Sequence, residues 1–354
     1  MKRIVDIGIL QSQSGAYAAL SQTSRAGALQ GVAEVNADPA YDLALRTIER
    51  DPEGRLDRYA PLCRDILGQG GVHHIFGCVT SASRKEVIPE LERSGGVLWY
   101  SAPYEGFEAS EHVAYTHACP NQHLLPLLEW ALPALGRRAY LVGSNYIWGW
   151  EMAQIARAEV TASGGEILGD RYLAVGDTGL DHILHEIKAL KPSFILNSLI
   201  GESSYAFLRR LRACAGPEAE TPVLSCNFTE SELALAGDAA EGLISAGPWF
   251  EPQSGQRGSF AEMARQSVHQ LARLLHARPG AEALPLAELL ALARHDAIKP
   301  RLHPEHFHAR QPVVIARLQS GRFDEIKHLP EREADPFLTR RDSPRAGVSL
   351  KVVS

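Results

Sequence analysis

Small hydroxyl-bearing residues follow a short apolar run in residues 77–85, GCVTSASRK. A loop that leads from a strand into a helix carries free backbone N–H groups, which suit a carbonyl oxygen or an anion. We expect Ser83 to cap the following helix while Glu86 reaches back to it. This arrangement leaves Thr80 and Ser81 in the loop, facing a ligand. A helix-capping role for Ser81 is the alternative.

Hydroxyl-bearing and aromatic residues also follow other short apolar runs of the sequence. In an open α/β sheet, ligands bind at the carboxyl ends of the strands, so side chains that follow different strands meet at one opening. Tyrosine offers a hydroxyl and an apolar face together, which suits a small polar ligand, although a core role is the alternative. The candidates are Tyr100, Ser101, Ala102, Tyr146 and Trp148, with Phe228 and Thr229 as weaker ones.

Several other chemistries are not indicated. The sequence has no Gly-x-Ser-x-Gly elbow, no Ser-Ser-Lys amidase pattern and no Cys–His pair on loops, so we do not expect an enzyme. Without a Gly-x-Gly-x-x-Gly fingerprint or a P-loop, no cofactor is expected. The stretch LHPEHFHAR holds His303, His306 and His308 but no acidic or cysteine partner at metal-site spacing. We therefore predict a surface turn with titrating histidines, and no metal site.

The composition is that of a soluble globular protein with two lobes. The chain has 354 residues, of which 45% are hydrophobic and 22% are charged. Its net charge of −6 and the absence of a Lys/Arg block argue against direct binding to nucleic acid. Five cysteines without a Cys-x-x-Cys pair argue against a disulfide framework and a structural zinc site.

The N-terminal stretch, MKRIVDIGILQSQSG, does not resemble a signal peptide. Asp6 interrupts its apolar run, whereas a signal peptide needs roughly 7–15 apolar residues and a cleavage site. No stretch approaches the roughly 18 apolar residues of a membrane span. We therefore expect a cytoplasmic protein without a membrane partner. A signal peptide in the native reading frame would favour an exported protein instead.

Short apolar runs alternate with helical patterns along the chain, and the alternation restarts near residue 123. This order predicts an α/β fold with two doubly wound lobes, each a mostly parallel sheet with helices on both faces. Residues 259–298 are predicted to be mostly helical. Residues 311–330 are predicted to form a hairpin that turns at Ser320–Gly321. The charged tail from about residue 331 is expected to wrap the surface or to be loose.

Four stretches carry a resemblance to a known family: CVTSASRKEVIPELER, WYSAPYEGFEASEHVAY, CPNQH and GSNYIWGWE. They resemble the type I periplasmic-binding-protein fold, and within it the amide- and urea-binding subfamily of the AmiC type. The resemblance implies two lobes joined by crossover hinges, with a ligand cleft between them. The first lobe would comprise residues 1–118 plus 251–310. The second would comprise 119–250 plus 311–330, and 331–354 would be the tail.

The resemblance also implies a function. AmiC-type proteins are cytoplasmic sensors that bind a small amide and thereby release a partner, an RNA-binding antiterminator protein. The alternative is the substrate-binding component of an ABC transporter for urea, amides or amino acids. An amino-acid ligand would need a carboxylate for its ammonium group, and Glu230 or Glu232 are candidates. A homo-oligomer is possible because apolar helices surround residues 263–276.

Individual residues match the subfamily unequally. Ser81 matches its ligand-contacting serine, and Tyr146 matches the tyrosine that reaches across the cleft. Val79 and Ala102 stand where AmiC-type proteins have a tyrosine and a threonine. Because both residues are smaller, we expect a larger or differently shaped ligand than acetamide. In PYEGFE, Tyr104, Glu105 and Phe107 are expected to be structural.

Overall fold

Two open sheets, each with helices on both faces, form the two lobes of the protein in a computed structural model. The structure describes residues 2–214, 221–252, 257–295 and 301–339. Both sheets are built mainly of parallel strands. The predicted α/β fold with two doubly wound lobes is confirmed.

The first lobe contains a parallel sheet of five strands in the order β2-β1-β3-β4-β5. Its strands are β1 (Arg3–Leu10), β2 (Leu43–Arg50), β3 (His74–Gly77), β4 (Val97–Tyr100) and β5 (Val113–Tyr115). Its helices are α1 (Ala18–Ala37), α2 (Tyr59–Leu67) and α3 (Ser81–Ser94). β3 and the second half of β1, from Ile7 to Leu10, are buried because helices cover both faces of a parallel sheet.

The second lobe contains a sheet of seven strands, ordered β12-β11-β10-β9-β8-β6-β7. Its strands are β6 (Arg138–Ser144), β7 (Glu166–Leu173), β8 (Phe194–Ser198), β9 (Val223–Ser225), β10 (Ile244–Gly247), β11 (Gln311–Gln319) and β12 (Arg322–Arg332). Its helices are α4 (Leu124–Leu135), α5 (Ile147–Ala162), α6 (Asp181–Leu190), α7 (Glu202–Cys214) and the short α8 (Leu233–Ala236). The predicted hairpin is confirmed, because Ser320 and Gly321 both have positive φ between antiparallel β11 and β12.

The chain passes between the two sheets after β5, after β10 and before β11. The predicted lobe boundaries near residues 118, 250 and 310 fall in these connections. After the second connection come α9 (Gly258–Ala277), which packs against α1, and α10 (Leu286–His295). Within the described ranges, we find no helix with the length and apolar character needed to cross a membrane.

The apolar residues of α9 lie inside the protein. Val268, Leu271 and Leu275 are fully buried in the main hydrophobic core. The predicted homo-oligomer was based on this apolar stretch, and the burial of these side chains within one chain removes that basis.

The start of the C-terminal tail is tied to the connection between the lobes. The Asn121 side chain donates a hydrogen bond to the Glu333 carbonyl (2.9 Å), and the Phe107 N–H donates to the Pro336 carbonyl (2.8 Å). Leu338 is buried. Residues 331–339 therefore pack on the crossover, whereas 340–354 lie outside the described residues.

Candidate ligand-binding cleft

Helix α3 begins earlier than the sequence suggested. Thr80 is the N-cap: its side chain accepts a hydrogen bond from the Ser83 N–H (3.1 Å), and Ser83 Oγ donates to the Thr80 carbonyl (2.8 Å). The predicted capping box of Ser83 and Glu86 is therefore wrong, because Ser83 itself takes the reciprocal role that Glu86 was given. The Thr80 hydroxyl is engaged in the cap, and Ser81 becomes the first helical residue.

Ser81 is held by a buried ion pair rather than being free in a loop. Its hydroxyl donates a short hydrogen bond to Glu105 Oε2, and Arg84 Nη2 donates to Glu105 Oε1 at 2.7 Å. All three residues are buried. Glu105, from the PYEGFE motif, thus has the partners that a buried carboxylate requires. Glu105 therefore has structural contacts and positions a candidate ligand residue as well, whereas the Phe107 side chain of the same motif is exposed.

Arg84 occupies a cage of aromatic rings and carboxylates. Its guanidinium carbon lies 4.7 Å from the ring centroids of both Tyr100 and Tyr104, and its Nε donates to Glu108 at 2.7 Å. Burial would raise the pKa of Glu108, but the charge and hydrogen bond of Arg84 outweigh it and hold that pKa at about 2. Reasoning from the sequence missed Arg84, because nothing in a lone helical arginine signals burial.

The residues at the end of β4 point to opposite sides of the sheet. The Tyr100 hydroxyl is buried and has no hydrogen-bond partner among the described residues. Burial raises the pKa of Tyr100, against the opposing charge of Arg84, so its hydroxyl keeps its proton. Ser101 instead bonds to Thr116 (2.9 Å) and Ser267 of α9 (3.0 Å), away from α3. Ala102 is fully buried, and Val79 is nearly so.

Tyr146 is the residue of the second lobe that lies near Tyr100 and Glu105. It is the extended N-cap residue of α5. Burial raises its pKa well above the usual range, and Tyr100, Glu105 and Tyr17 of the first lobe lie close enough to add to the shift. Trp148 turns the other way: its ring lies 5.9 Å from that of His123, at the crossover between the lobes.

The two weaker candidates, Phe228 and Thr229, do not lie beside Ser81 and Tyr100. Phe228 is fully buried in the separate hydrophobic core of the second lobe. Thr229 caps the short 3-10 helix Glu230–Glu232, with its N–H donating to Glu232 Oε2 at 3.0 Å. Ser81 and Tyr100 therefore lie beside the Arg84–Glu105 pair, and Tyr146 lies within range of electrostatic interaction with Tyr100 and Glu105. Ser101, Trp148, Phe228 and Thr229 make other contacts.

The loop after β1 was missed as part of the cleft. Ser12 Oγ lies 2.9 Å from the Tyr59 hydroxyl, which lies 3.4 Å from that of Tyr17. The run QSQSG directly after β1 is the same strand-end signal that located the other candidates. Ala16 in this loop also accepts a hydrogen bond from the Glu202 N–H (3.1 Å), so the lobes touch across the cleft.

Glu230 and Glu232, the candidate partners for an ammonium group, each have one carboxyl oxygen without a hydrogen-bond partner among the described residues. Both carboxyls are buried, and burial raises the pKa of Glu230 to about 7 and that of Glu232 to about 8. In the absence of a cation, burial therefore opposes the charged form of both carboxyls. Glu230 also accepts a hydrogen bond from the Glu251 N–H in the crossover between lobes (2.6 Å).

The histidine-rich stretch is not a titrating surface turn. His308 is fully buried and stacks on Tyr115 with ring centroids 4.0 Å apart. Burial lowers the pKa of His308 to about 3 and that of His306 to about 4, so neither protonates near neutral pH. In the part of the chain that the structure describes, no cluster of His, Cys, Asp and Glu could hold a metal ion.

Two cavities lie outside the cleft. One, of about 530 Å³, is bordered by α9 and residues 301–311; the other, of about 870 Å³, is bordered by α6, α7 and the segment before β10. Neither is lined by a predicted ligand residue. The candidate site, where α3, β4 and α5 lie at strand ends, is identified by its side chains and by the position that ligands take in other open α/β sheets.

Comparisons with known proteins agree with this architecture. A solute-binding protein of an ABC transporter from R. palustris, solved with benzoate, superposes with a TM-score of 0.80 and 18% identity over 94% of this chain and 98% of that one. LivJ of Streptococcus pneumoniae, solved with isoleucine, gives a TM-score of 0.79 and 15% identity over 93% and 100%. The leucine-binding LivK of Thermotoga maritima gives 0.79 and 15% over 92% and 98%.

At these low identities, the superpositions show a shared fold and nothing more. The model of the family described as "Periplasmic binding protein domain" matches residues 5–279, which is most of the chain. The chain belongs to the periplasmic binding protein domain family.

Proposed function

We propose that this protein is the solute-binding component of an uptake system and takes a small, uncharged, amide-like molecule between its lobes. The similar structures reported above, solved as solute-binding and transporter proteins, support an uptake role over a regulatory one. The observation that carries the proposal is the meeting of Ser81 and Tyr100 from one lobe with Tyr146 from the other.

The groups at this point suit an amide. The first N–H groups of a helix have no intrahelical acceptor, and the Thr80 cap satisfies that of Ser83, which leaves those of Ser81 and Ala82. Together with the hydroxyls of Tyr100 and Tyr146, they can donate to a carbonyl oxygen. Aromatic faces can cover the ligand's apolar part. The Glu105 carboxylate is already taken by Ser81 and Arg84, so it does not await an ammonium group.

A thermal-shift screen tests the proposal. The wild-type protein is heated with primary amides, urea, α-amino acids and aromatic carboxylates, and binding raises the melting temperature by mass action. We expect a concentration-dependent increase with an amide or urea. An increase with α-amino acids alone would replace the proposal by an amino-acid receptor, and an increase with aromatic carboxylates alone would contradict an uncharged ligand.

A second candidate is the cytoplasmic amide sensor that controls an RNA-binding antiterminator. It is favoured by the PYEGFE motif, whose Glu105 and Glu108 build the Arg84 cage beside Ser81. Cell fractionation, with mass spectrometry of the mature N-terminus, separates the two. A processed protein outside the cytoplasm supports uptake. A cytoplasmic protein that copurifies with an RNA-binding partner and releases it when ligand is added supports the sensor.

A further inference from the structure

We infer that Glu105 makes the cleft selective for ligands that carry an N–H group, by fixing the direction of the Ser81 hydrogen bond. This inference rests on the proposed function, since it concerns the same site. Glu105 need not touch the ligand: it acts through Ser81 and is a positioning residue.

The first step is the direction of the bond between Ser81 and Glu105. A serine hydroxyl has a single proton and two lone pairs. Its proton is donated to Glu105 Oε2, so its oxygen can offer only lone pairs to the cleft. In this arrangement Ser81 Oγ is an acceptor, and a ligand must bring the proton.

The second step is that the direction cannot reverse. Glu105 forms an ion pair with Arg84 at 2.7 Å, with both side chains essentially unexposed. An ionised carboxylate only accepts hydrogen bonds. Arg84 is itself fixed by Glu108 and by the Tyr100 and Tyr104 rings. The carboxylate therefore always requires the Ser81 proton.

The third step concerns the groups beside Ser81. The Tyr100 hydroxyl is buried without a hydrogen-bond partner among the described residues, and the Ser81 and Ala82 N–H groups belong to the first turn of α3, which offers no intrahelical acceptor. The site thus combines several donors with a serine oxygen that can only accept. A primary amide or urea matches both, with its carbonyl on the donors and its N–H on Ser81 Oγ. A carboxylate of the same shape has no proton to donate to Ser81 Oγ, so the lone pairs of the two oxygens would repel each other.

Matched ligand pairs test this selectivity on the wild-type protein. Calorimetric Kd values are compared for acetamide and acetate, and for benzamide and benzoate, at pH 7. An unsatisfied buried polar contact costs about 1–3 kcal/mol, so we expect the amide to bind at least about fivefold more tightly in the pair that the cleft accommodates. Equal or tighter binding of the carboxylate would overturn the inference.

Glu105→Gln tests the cause. The glutamine amide can donate to Ser81, which frees the Ser81 proton for the ligand, so the amide-to-carboxylate preference should fall several-fold or invert. Glu151→Gln is the matched control, because it removes a carboxylate close enough to Glu105 for their charges to interact, yet has no bond to Ser81. We expect it to keep the wild-type preference.

The outcomes separate the two proposals. Amide binding by the wild type with the same preference in Glu105→Gln would contradict the inference and leave the proposed function intact. Failure of the wild type to bind any of these ligands would contradict both. If Glu105→Gln does not fold, Ser81→Ala provides the second variant. This variant removes the fixed acceptor, so it should reduce the amide-to-carboxylate preference. An unchanged preference would contradict the inference.

Discussion

At the scale of single residues, the site depends on a buried cation that the sequence does not reveal. Ser81, Tyr100 and Tyr146 could be located because polar and aromatic residues at strand ends are exposed to a cleft in this class of fold. The same rule selected Ser101 and Trp148, whose side chains turn towards α9 and His123 instead. Strand-end position does not determine which face a side chain takes. The burial of Arg84 depends on contacts between distant segments.

Arg84 yields a stability prediction. Arg84→Met leaves Glu105 as a buried charge without its cation, while Glu108 keeps Lys85, and breaking a buried pair in this way costs about 3–5 kcal/mol of unfolding free energy. Urea denaturation measures the change. Arg46→Met is the control, since Arg46 forms an exposed pair with Asp6 and should change the stability little. Equal midpoints for the two variants would contradict the role given to the cage.

At the scale of elements, sequence patterns located strands better than helix starts. The runs LALRTIER (43–50) and RAYLVGS (138–144) predict strands, and they form β2 and β6 with these bounds because each is bounded by turn residues. α3 begins at Ser81 because Thr80 adopts the extended conformation of a cap, and several hydroxyl residues in a row made the choice ambiguous. The short strand β5 (Val113–Tyr115) was missed, since three residues show no periodicity.

The 3-10 helix that contains Glu232 predicts a pH effect. Burial raises the pKa of Glu232 from 4.5 to about 8, so between these values the folded protein holds more protons than the unfolded chain. The stability should therefore fall as the pH rises through this window, by up to about 1.4 kcal/mol per pH unit for one group, and then level off.

Glu232→Gln isolates this contribution. The variant keeps an acceptor for the Thr229 N–H but has no proton to lose, so its unfolding free energy should exceed that of the wild type most at pH 8 and least at pH 5. The control is Glu92→Gln at an exposed position, which should follow the wild-type profile. Parallel profiles for Glu232→Gln and the wild type would refute the buried neutral carboxyl.

At the scale of the whole molecule, function requires the lobes to approach closely. Gly201 has a φ of +58°, and a Cβ atom there would lie 1.9 Å from the carbonyl oxygen of Ala16 in the other lobe. Only glycine fits this approach. Because a ligand held by Ser81 and Tyr146 gains both sets of contacts only when the lobes are closed, binding shifts the population towards the closed state. The sequence predicted the two lobes but not this contact.

Gly201→Ala should therefore impair binding more than folding. A left-handed conformation costs a non-glycine residue about 1–2 kcal/mol, and this penalty also applies to the control Gly95→Ala, where φ is +72° and no atom lies within 4 Å of the new Cβ. We expect similar melting temperatures for the two variants and weaker ligand binding in Gly201→Ala alone, measured by calorimetry. Equal affinities would show that the contact with Ala16 does not matter for closure.

The central claim is that one small molecule is held by Ser81 from one lobe and Tyr146 from the other. The most direct measurement is the Kd of the best ligand for the wild type, Ser81→Ala, Tyr146→Phe and the double variant. Each single change should weaken binding by about tenfold, as expected when a hydrogen bond in a buried site is lost. Wild-type affinity in both single variants would place the ligand elsewhere and contradict the claim.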